Sequence, residues 1–262
     1  NPDTEASYRE RERLFQLRRS SWADYDTAVL SAGGGIYPRT AKSIPLSPEI
    51  RAVLDVQAES MPPNELICAL LKAPVDLLWN GGIGTFIKAS FESHEAAGDR
   101  ANDAIRIDAT ELRCTVVGEG GNLGLTQNAR IEYARHGGHV NTDFIDNSGG
   151  VDCSDHEVNI KILLDKVVKD GDLSEKQRNQ LLVDMTNEVA ELVLRNNYQQ
   201  TAALTLSEQL APELLEEHVG YIRALEKSGH LERSTWQLPD DEEIAARRGA
   251  GEGFTRPESA VL

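Results

Sequence analysis

Three short apolar runs in this chain each end in a turn that is rich in glycine and asparagine. They are VDLLWNGGIGT at residues 75–85, CTVVGEGGNLGLT at residues 114–126 and VNTDFIDNSGGVDCS at residues 140–154. In an open parallel sheet the carboxyl ends of the strands meet at one crevice, where such folds bind ligands. Glycine lets the backbone approach a bound molecule, and asparagine offers both a donor and an acceptor. The repetition therefore predicts a parallel sheet that belongs to a nucleotide-dependent enzyme.

The order of apolar patterns predicts how the rest of the chain is organised. Strands are predicted at residues 28–30, 75–79, 114–117 and 140–145, and helices at 83–104, 126–136 and 154–168. Such alternation indicates βαβ units. After Gly171 only helical periodicity remains. The expected fold is a partial Rossmann-like, doubly wound α/β sheet in residues 1–171, followed by an all-helical segment in residues 172–262 that packs on it.

Composition excludes several classes of protein. The 262 residues carry a net charge of −16, whereas a nucleic-acid surface needs a basic stripe. No apolar run approaches the roughly 18 residues of a membrane span. Three widely spaced cysteines suggest no disulfide framework, so a reducing cytoplasm is expected. Because the chain begins with Asn1 and its final helix-start pattern stops early, we expect a fragment of a longer protein.

Two of the turns leave alternatives open. The turn from Gly118 to Gly124 departs from the GxGxxG spacing, and Glu119 sets a carboxylate among glycines that would cradle phosphates. It is either a cofactor turn or a plain strand-to-helix turn. The segment from Asn147 to Ser154 lies before an amphipathic helix, whose free N–H groups favour an anionic ligand. Alternatively, Asp152 or Ser154 merely caps that helix.

The histidines do not form a convincing metal site. His136 and His139, like Asp155-His156-Glu157, have no third ligand at zinc spacing. The sequence also has no GxSxG or P-loop motif. No metal is therefore expected.

Longer stretches of the sequence resemble the large bacterial NAD-specific glutamate dehydrogenases. The similar runs are WADYD (22–26), SAGGGIYPR (31–39), KSIPLS (42–47), GDRANDA (98–104), VVGEGGNLGLT (116–126), EEIA (242–245) and TRPE (255–258). They are specific, and the similarity extends over essentially the whole chain. The resemblance implies oxidative deamination of L-glutamate to 2-oxoglutarate and ammonia, with hydride passed to NAD. It also implies that the chain works with the rest of a longer protein, as a homo-oligomer.

The resemblance also implies roles for individual residues in binding NAD. Two small residues of the first turn would lie against the nicotinamide ribose, and the EGxN turn would approach the cofactor ribose. An asparagine of the NxGGV turn would bond the nicotinamide carboxamide. The residues concerned are Gly81, Gly82, Glu119, Gly120, Asn122 and Asn147.

For the substrate, the resemblance points to Val151 and Ser154, with the serine hydroxyl on the distal carboxylate. Gly121 replaces a commoner alanine, a change expected to cost little at a turn, and Asp155-His156 replace a Tyr-Phe pair. The catalytic lysine and aspartate of the family, its glycine-rich fingerprint and its ribose-binding acid belong upstream of Asn1, so no catalytic residue is expected here. The competing interpretations are a non-catalytic nucleotide-binding module and a helical interaction module.

Overall fold

A computed structural model describes residues 2–262 and shows strands only between residues 44 and 140 of that part, with helices along its whole length. The strands are β1 (Ile44–Pro45), β2 (Ser60–Met61), β3 (Leu77–Asn80), β4 (Ile87–Lys88), β5 (Ile107–Asp108), β6 (Val116–Glu119) and β7 (His139–Val140). The helices are α1 (Thr4–Gln16), α2 (Pro48–Leu54), α3 (Pro63–Leu71), α4 (Gln127–Arg135), α5 (Asp143–Asp146), α6 (Ser148–Lys169), α7 (Glu175–Asp184), α8 (Thr186–Gln209), α9 (Ala211–Lys227), α10 (Arg233–Trp236), α11 (Asp241–Ala250) and α12 (Arg256–Ser259). In the part of the chain thus described, no helix is both long and apolar enough to cross a bilayer.

The central sheet is parallel, with the strand order β3-β6-β7. Leu77 lies opposite Val116, which lies opposite His139 on its other side. Helix α4 connects β6 to β7, so these three elements form a βαβ unit. Two smaller sheets pair β4 with β5 in parallel and β1 with β2 antiparallel. The α/β class with a parallel sheet is confirmed.

Helix α4 covers the sheet and closes its core. Thr126 caps the helix by accepting the Ala129 N–H at 3.1 Å. Tyr133 is buried among Val117, Leu125 and Val140, and its hydroxyl donates to the Cys114 carbonyl at 2.8 Å. This packing fixes the start of α4 close to the end of β6.

The helix predicted at residues 83–104 is wrong. The segment instead forms β4 and a series of turns, with a 3₁₀ turn at Arg100–Asn102. The buried guanidinium of Arg106 donates to the Thr85 carbonyl at 2.8 Å and to Asp103 at 2.6 Å. Gly84 has a φ of +137°, which a helix does not allow. The bond from Arg106 to Thr85, 21 residues away, and the β4–β5 pairing override the local apolar spacing.

Two other boundaries also differ from the prediction. The strand expected over 140–145 ends at Val140, and α5 follows it; the strand expected at 28–30 is a 3₁₀ turn at Thr27–Val29. Helix α6 begins at Ser148, six residues before the predicted start. The Asn147 N–H donates to the Asp143 carbonyl at 2.7 Å. The helical turn that precedes the glycines at 149 and 150 thus continues into α6, and both glycines adopt helical conformation.

Helices α7 to α12 confirm the predicted helical character of the last third of the chain. Their core contains Leu215, Val219, Ile222, Leu238, Ile244 and Phe254. Helix α12 returns to contact α4 and α8, and Gln127 on α4 donates to the Pro257 carbonyl at 3.0 Å. The helical segment thus packs on the sheet layer, while a domain boundary between residues 171 and 172 stays a prediction.

Candidate functional site

The three turns identified in the sequence meet at one edge of the parallel sheet. The Gly121 N–H donates to the Asn80 carbonyl at 3.0 Å, which joins the turn after β6 to the end of β3. The Asn147 side-chain amide donates to Asn122 Oδ1, which joins the same turn to the start of α6. The structure therefore brings Gly82, Asn122 and Asn147 into one neighbourhood.

Glu119 lies beneath this neighbourhood and has no exposed surface. Arg130 binds its carboxylate with two donors, at 2.6 and 2.9 Å, and the Leu125 N–H donates to it at 3.0 Å. Burial raises the pKa of Glu119, and the hydrogen bonds and charge of Arg130 oppose that rise. The carboxylate that seemed unsuitable beside a phosphate is thus neutralised inside the fold. Its side chain supports the turn and offers no surface to a ligand.

Two aspartates of α5 hold the backbone of the same turn, and sequence reasoning missed both. Asp143 pairs with Arg130 at 3.1 Å and accepts the Leu123 N–H at 2.8 Å. Leu123 has a φ of +57°, a conformation that is costly for a residue with a side chain. Asp146 accepts the Glu119 N–H at 2.9 Å. Two acids three residues apart just after a strand are the signal that could have identified them.

The predicted cofactor residues of the first two turns differ in accessibility. Gly81, Gly82 and Asn122 are exposed, and Gly120 is half-buried beneath the Trp79 indole. A Cβ built on Gly82 would meet no atom within 4 Å. Open space therefore lies in front of Gly82, where the backbone is free to approach a ligand.

The predicted substrate residues lie on α6, on the face that begins with Asn147. Val151 and Ser154 follow Asn147 by four and seven residues, a spacing that keeps all three on one helix face. Val151 is 60% exposed, and Ser154 is also exposed. Val151 lines an open groove of about 410 Å³ between α6 and α8, together with Phe144 and Ser148. Ser154 is not among the residues that line this groove, so the structure places only Val151 of the predicted pair in it.

The alternative in which Asp152 or Ser154 caps the helix is wrong. Asn147 occupies the N-cap position of α6, and Ser154 lies in the second turn. At that depth the backbone N–H groups bond within the helix. An anion held at this position would depend on the Ser154 hydroxyl itself.

Metal-binding clusters are absent from residues 2–262, in which no three His, Cys, Asp or Glu side chains converge. His156 instead faces Asp152 on the same helix, at 3.3 Å.

Two glycine variants distinguish a glycine that is needed for the structure of the turn from a glycine that contacts a ligand. An alanine at residue 121 does not fit this turn, because its Cβ would lie 2.3 Å from the Gly82 carbonyl oxygen. Gly121→Ala should therefore lower the free energy of unfolding by about 1–3 kcal/mol. Gly82→Ala should leave stability unchanged but raise the KM for a ligand that lies against Gly82. Urea denaturation and steady-state kinetics measure the two effects, and equal stability losses would contradict the assignment.

Comparison with known proteins gives consistent similarities. Residues 1–207 match the family described as bacterial NAD-glutamate dehydrogenase, catalytic domain. The chain is 61% identical over 262 residues to the NAD-specific glutamate dehydrogenase of Pseudomonas aeruginosa. It is 57% identical over 261 residues to that of Halomonas elongata and 51% identical over 269 residues to that of Mycobacterium tuberculosis. Each match covers 100% of this chain, which spans only 16% of the length of each of these curated relatives.

Proposed function

We propose a function from one premise: the chain belongs to the bacterial NAD-glutamate dehydrogenase family, whose catalytic domain matches residues 1–207. The chain forms part of an enzyme that oxidises L-glutamate to 2-oxoglutarate and ammonia. NAD, when bound, accepts the hydride. The observation that carries this proposal is the convergence of Gly82, Asn122 and Asn147 at the carboxyl edge of the sheet, where parallel α/β folds bind their ligands.

The two asparagines are suited to a ligand that carries an amide or a ribose. Their mutual bond uses the Asn147 nitrogen and the Asn122 oxygen, so it fixes both side chains. The Asn147 oxygen and the Asn122 nitrogen remain as an acceptor and a donor. They would orient the nicotinamide end of NAD, while the bare backbone at Gly81 and Gly82 would lie against its ribose.

The exposed face of α6 is suited to glutamate. Val151 would contact the methylene groups of the substrate, and the Ser154 hydroxyl would donate to its distal carboxylate. A hydrogen bond from a hydroxyl to a charged carboxylate is stronger than one to a neutral acceptor. Such a pair distinguishes glutamate from amino acids with neutral side chains.

The Asn147→Ala variant of the full-length enzyme tests the cofactor role. It should lose a hydrogen bond worth about 1 kcal/mol and the alignment that this bond secures, so the KM for NAD should rise and kcat should fall. Asn159→Ala is the matched control, since Asn159 is an exposed asparagine on another face of α6. Kinetics identical to the unmodified enzyme, in a folded Asn147→Ala protein, would remove Asn147 from the site.

The chain's setting in the cell is also part of the proposal. The three cysteines are free thiols, which supports a reducing cytoplasm. A homo-oligomer follows from the family resemblance alone. Cell fractionation and light scattering of the full-length enzyme measure the two properties.

A further inference from the structure

We infer that Arg256 is a positioning residue for the proposed cofactor turn, which it holds through Asn141 and Asp146. The inference rests on the proposed function, because it assigns this turn to NAD. Arg256 lies outside residues 1–207, the part that matches the catalytic-domain family. A residue of the helical segment would thus help to shape the site on the sheet.

The Arg256 guanidinium is fixed by contacts with two other parts of the chain, α8 and the segment after β7. It extends from α12, and its side chain is only 14% exposed. It donates to the Thr201 carbonyl at 3.1 Å and to the Thr205 hydroxyl at 3.0 Å, both on α8. Its Nε donates to Asn141 Oδ1, in the segment just after β7. The arginine therefore joins α12 and α8 to the end of the sheet.

From Asn141 the contacts continue to the turn. The Asn141 amide nitrogen donates to Asp146 Oδ1 at 2.6 Å, and Asp146 Oδ2 accepts the Glu119 N–H at 2.9 Å. Glu119 ends β6 and leads into the turn that carries Asn122. Asp146 directly precedes Asn147, which donates to Asn122. The relay thus supports both residues of the asparagine pair.

Arg256 and Asp146 hold opposite ends of the Asn141 amide and together fix which way it faces. An amide has a donor end and an acceptor end. Because Arg256 supplies only donors, it engages the Asn141 oxygen and leaves the nitrogen for Asp146. Without Arg256 the Asp146 carboxylate still engages the amide nitrogen, but the Asn141 oxygen loses its donor, so the side chain is held at one end only. The expected consequence is a looser turn rather than an unfolded protein.

Four variants of the full-length enzyme test the relay. Arg256→Ala and Asn141→Ala should each raise the KM for NAD roughly five- to tenfold, the effect of about one hydrogen bond. The double variant should be no worse than either single variant, since both break the same relay. Arg256→Lys should lie between Arg256→Ala and the unmodified enzyme, because the ammonium still donates but lacks the fixed fork that reaches Asn141 and α8 together. Arg135→Ala is the matched control: Arg135 also joins the sheet layer to the helical segment, through Glu243 at 3.0 Å, but lies outside the relay.

Hydrogen exchange gives a readout that does not depend on activity. The peptide covering residues 116–126 should exchange faster in Arg256→Ala than in Arg135→Ala. Unchanged exchange in that peptide, or additive effects of Arg256→Ala and Asn141→Ala on the KM for NAD, would overturn the relay. If Arg256→Ala does not fold, Asn141→Ala and Arg256→Lys provide the same comparison. An unmodified enzyme that fails to oxidise glutamate with NAD would instead refute the proposed function, and the exchange result would still decide the relay.

Discussion

Arg130→Met should destabilise the chain by about 3–5 kcal/mol, because it leaves a buried carboxylate without its partner. Glu119 and Arg130 are almost wholly buried and lie 2.6 Å apart, so water does not replace the lost charge. The same variant releases Asp143, which holds Leu123 in its left-handed conformation. We therefore expect both a lower midpoint of urea denaturation and a disordered turn.

Two further variants make this prediction specific. Arg135→Met removes an exposed arginine from the same helix, whose pairs with Glu243 and Glu252 are partly solvated, and should cost less than about 1 kcal/mol. Arg130→Met combined with Glu119→Gln should recover part of the loss, because glutamine is neutral and keeps an acceptor for the Leu125 N–H. A double variant less stable than Arg130→Met would contradict the charge explanation.

Ser154→Ala in the full-length enzyme should lower kcat/KM for glutamate roughly ten- to a hundredfold and leave NAD binding nearly intact. A hydroxyl bonded to a carboxylate contributes about 1.5–3 kcal/mol, which corresponds to that range. Ser154 is exposed and does not cap α6, so its removal should not lower stability. Alanine is also the better helix former at such a position. Any loss of activity would therefore reflect the lost contact with substrate.

The ratio of activity on glutamate to activity on norvaline tests this assignment. The ratio should fall in Ser154→Ala, because norvaline has no distal carboxylate. Cys153→Ala is the neighbouring control: Cys153 is exposed on another face of α6, and its loss should leave the ratio unchanged. A ratio unaffected by Ser154→Ala would exclude the substrate role.

The parallel sheet was predictable because its strands are short apolar runs that end in glycine. The strands at Leu77–Asn80 and Val116–Glu119 and the meeting of the turns at one edge follow from that pattern, whereas the order β3-β6-β7 does not. The spacing of apolar residues predicted the wrong secondary structure where contacts with distant residues determine the conformation. The segment at residues 83–104 has helical spacing, yet Arg106 and the pairing with β5 hold it in turns.

The buried residues that hold the turns of the candidate site could not be predicted from local sequence patterns. Glu119 was recognised as unusual, but its partner Arg130 lies eleven residues later on a helix. Nothing in the sequence shows which of many charged residues a buried carboxylate meets. The glycines at 149 and 150 also misled, since they favour a turn by propensity and nevertheless lie in the first turn of α6.

The contact between Arg256 and Asn141 spans 115 residues and bears on how the protein is made. Ribosomes add about 5–20 residues per second, so Asn141 exists for roughly 6–23 s before Arg256 is synthesised. The Glu119–Arg130 pair spans only eleven residues and is complete much earlier. Between these two stages the nascent chain has formed the Glu119–Arg130 pair beneath the turn but not yet the contact between Arg256 and Asn141. During that interval this part of the newborn protein is more open to proteases and chaperones than it is in the finished chain.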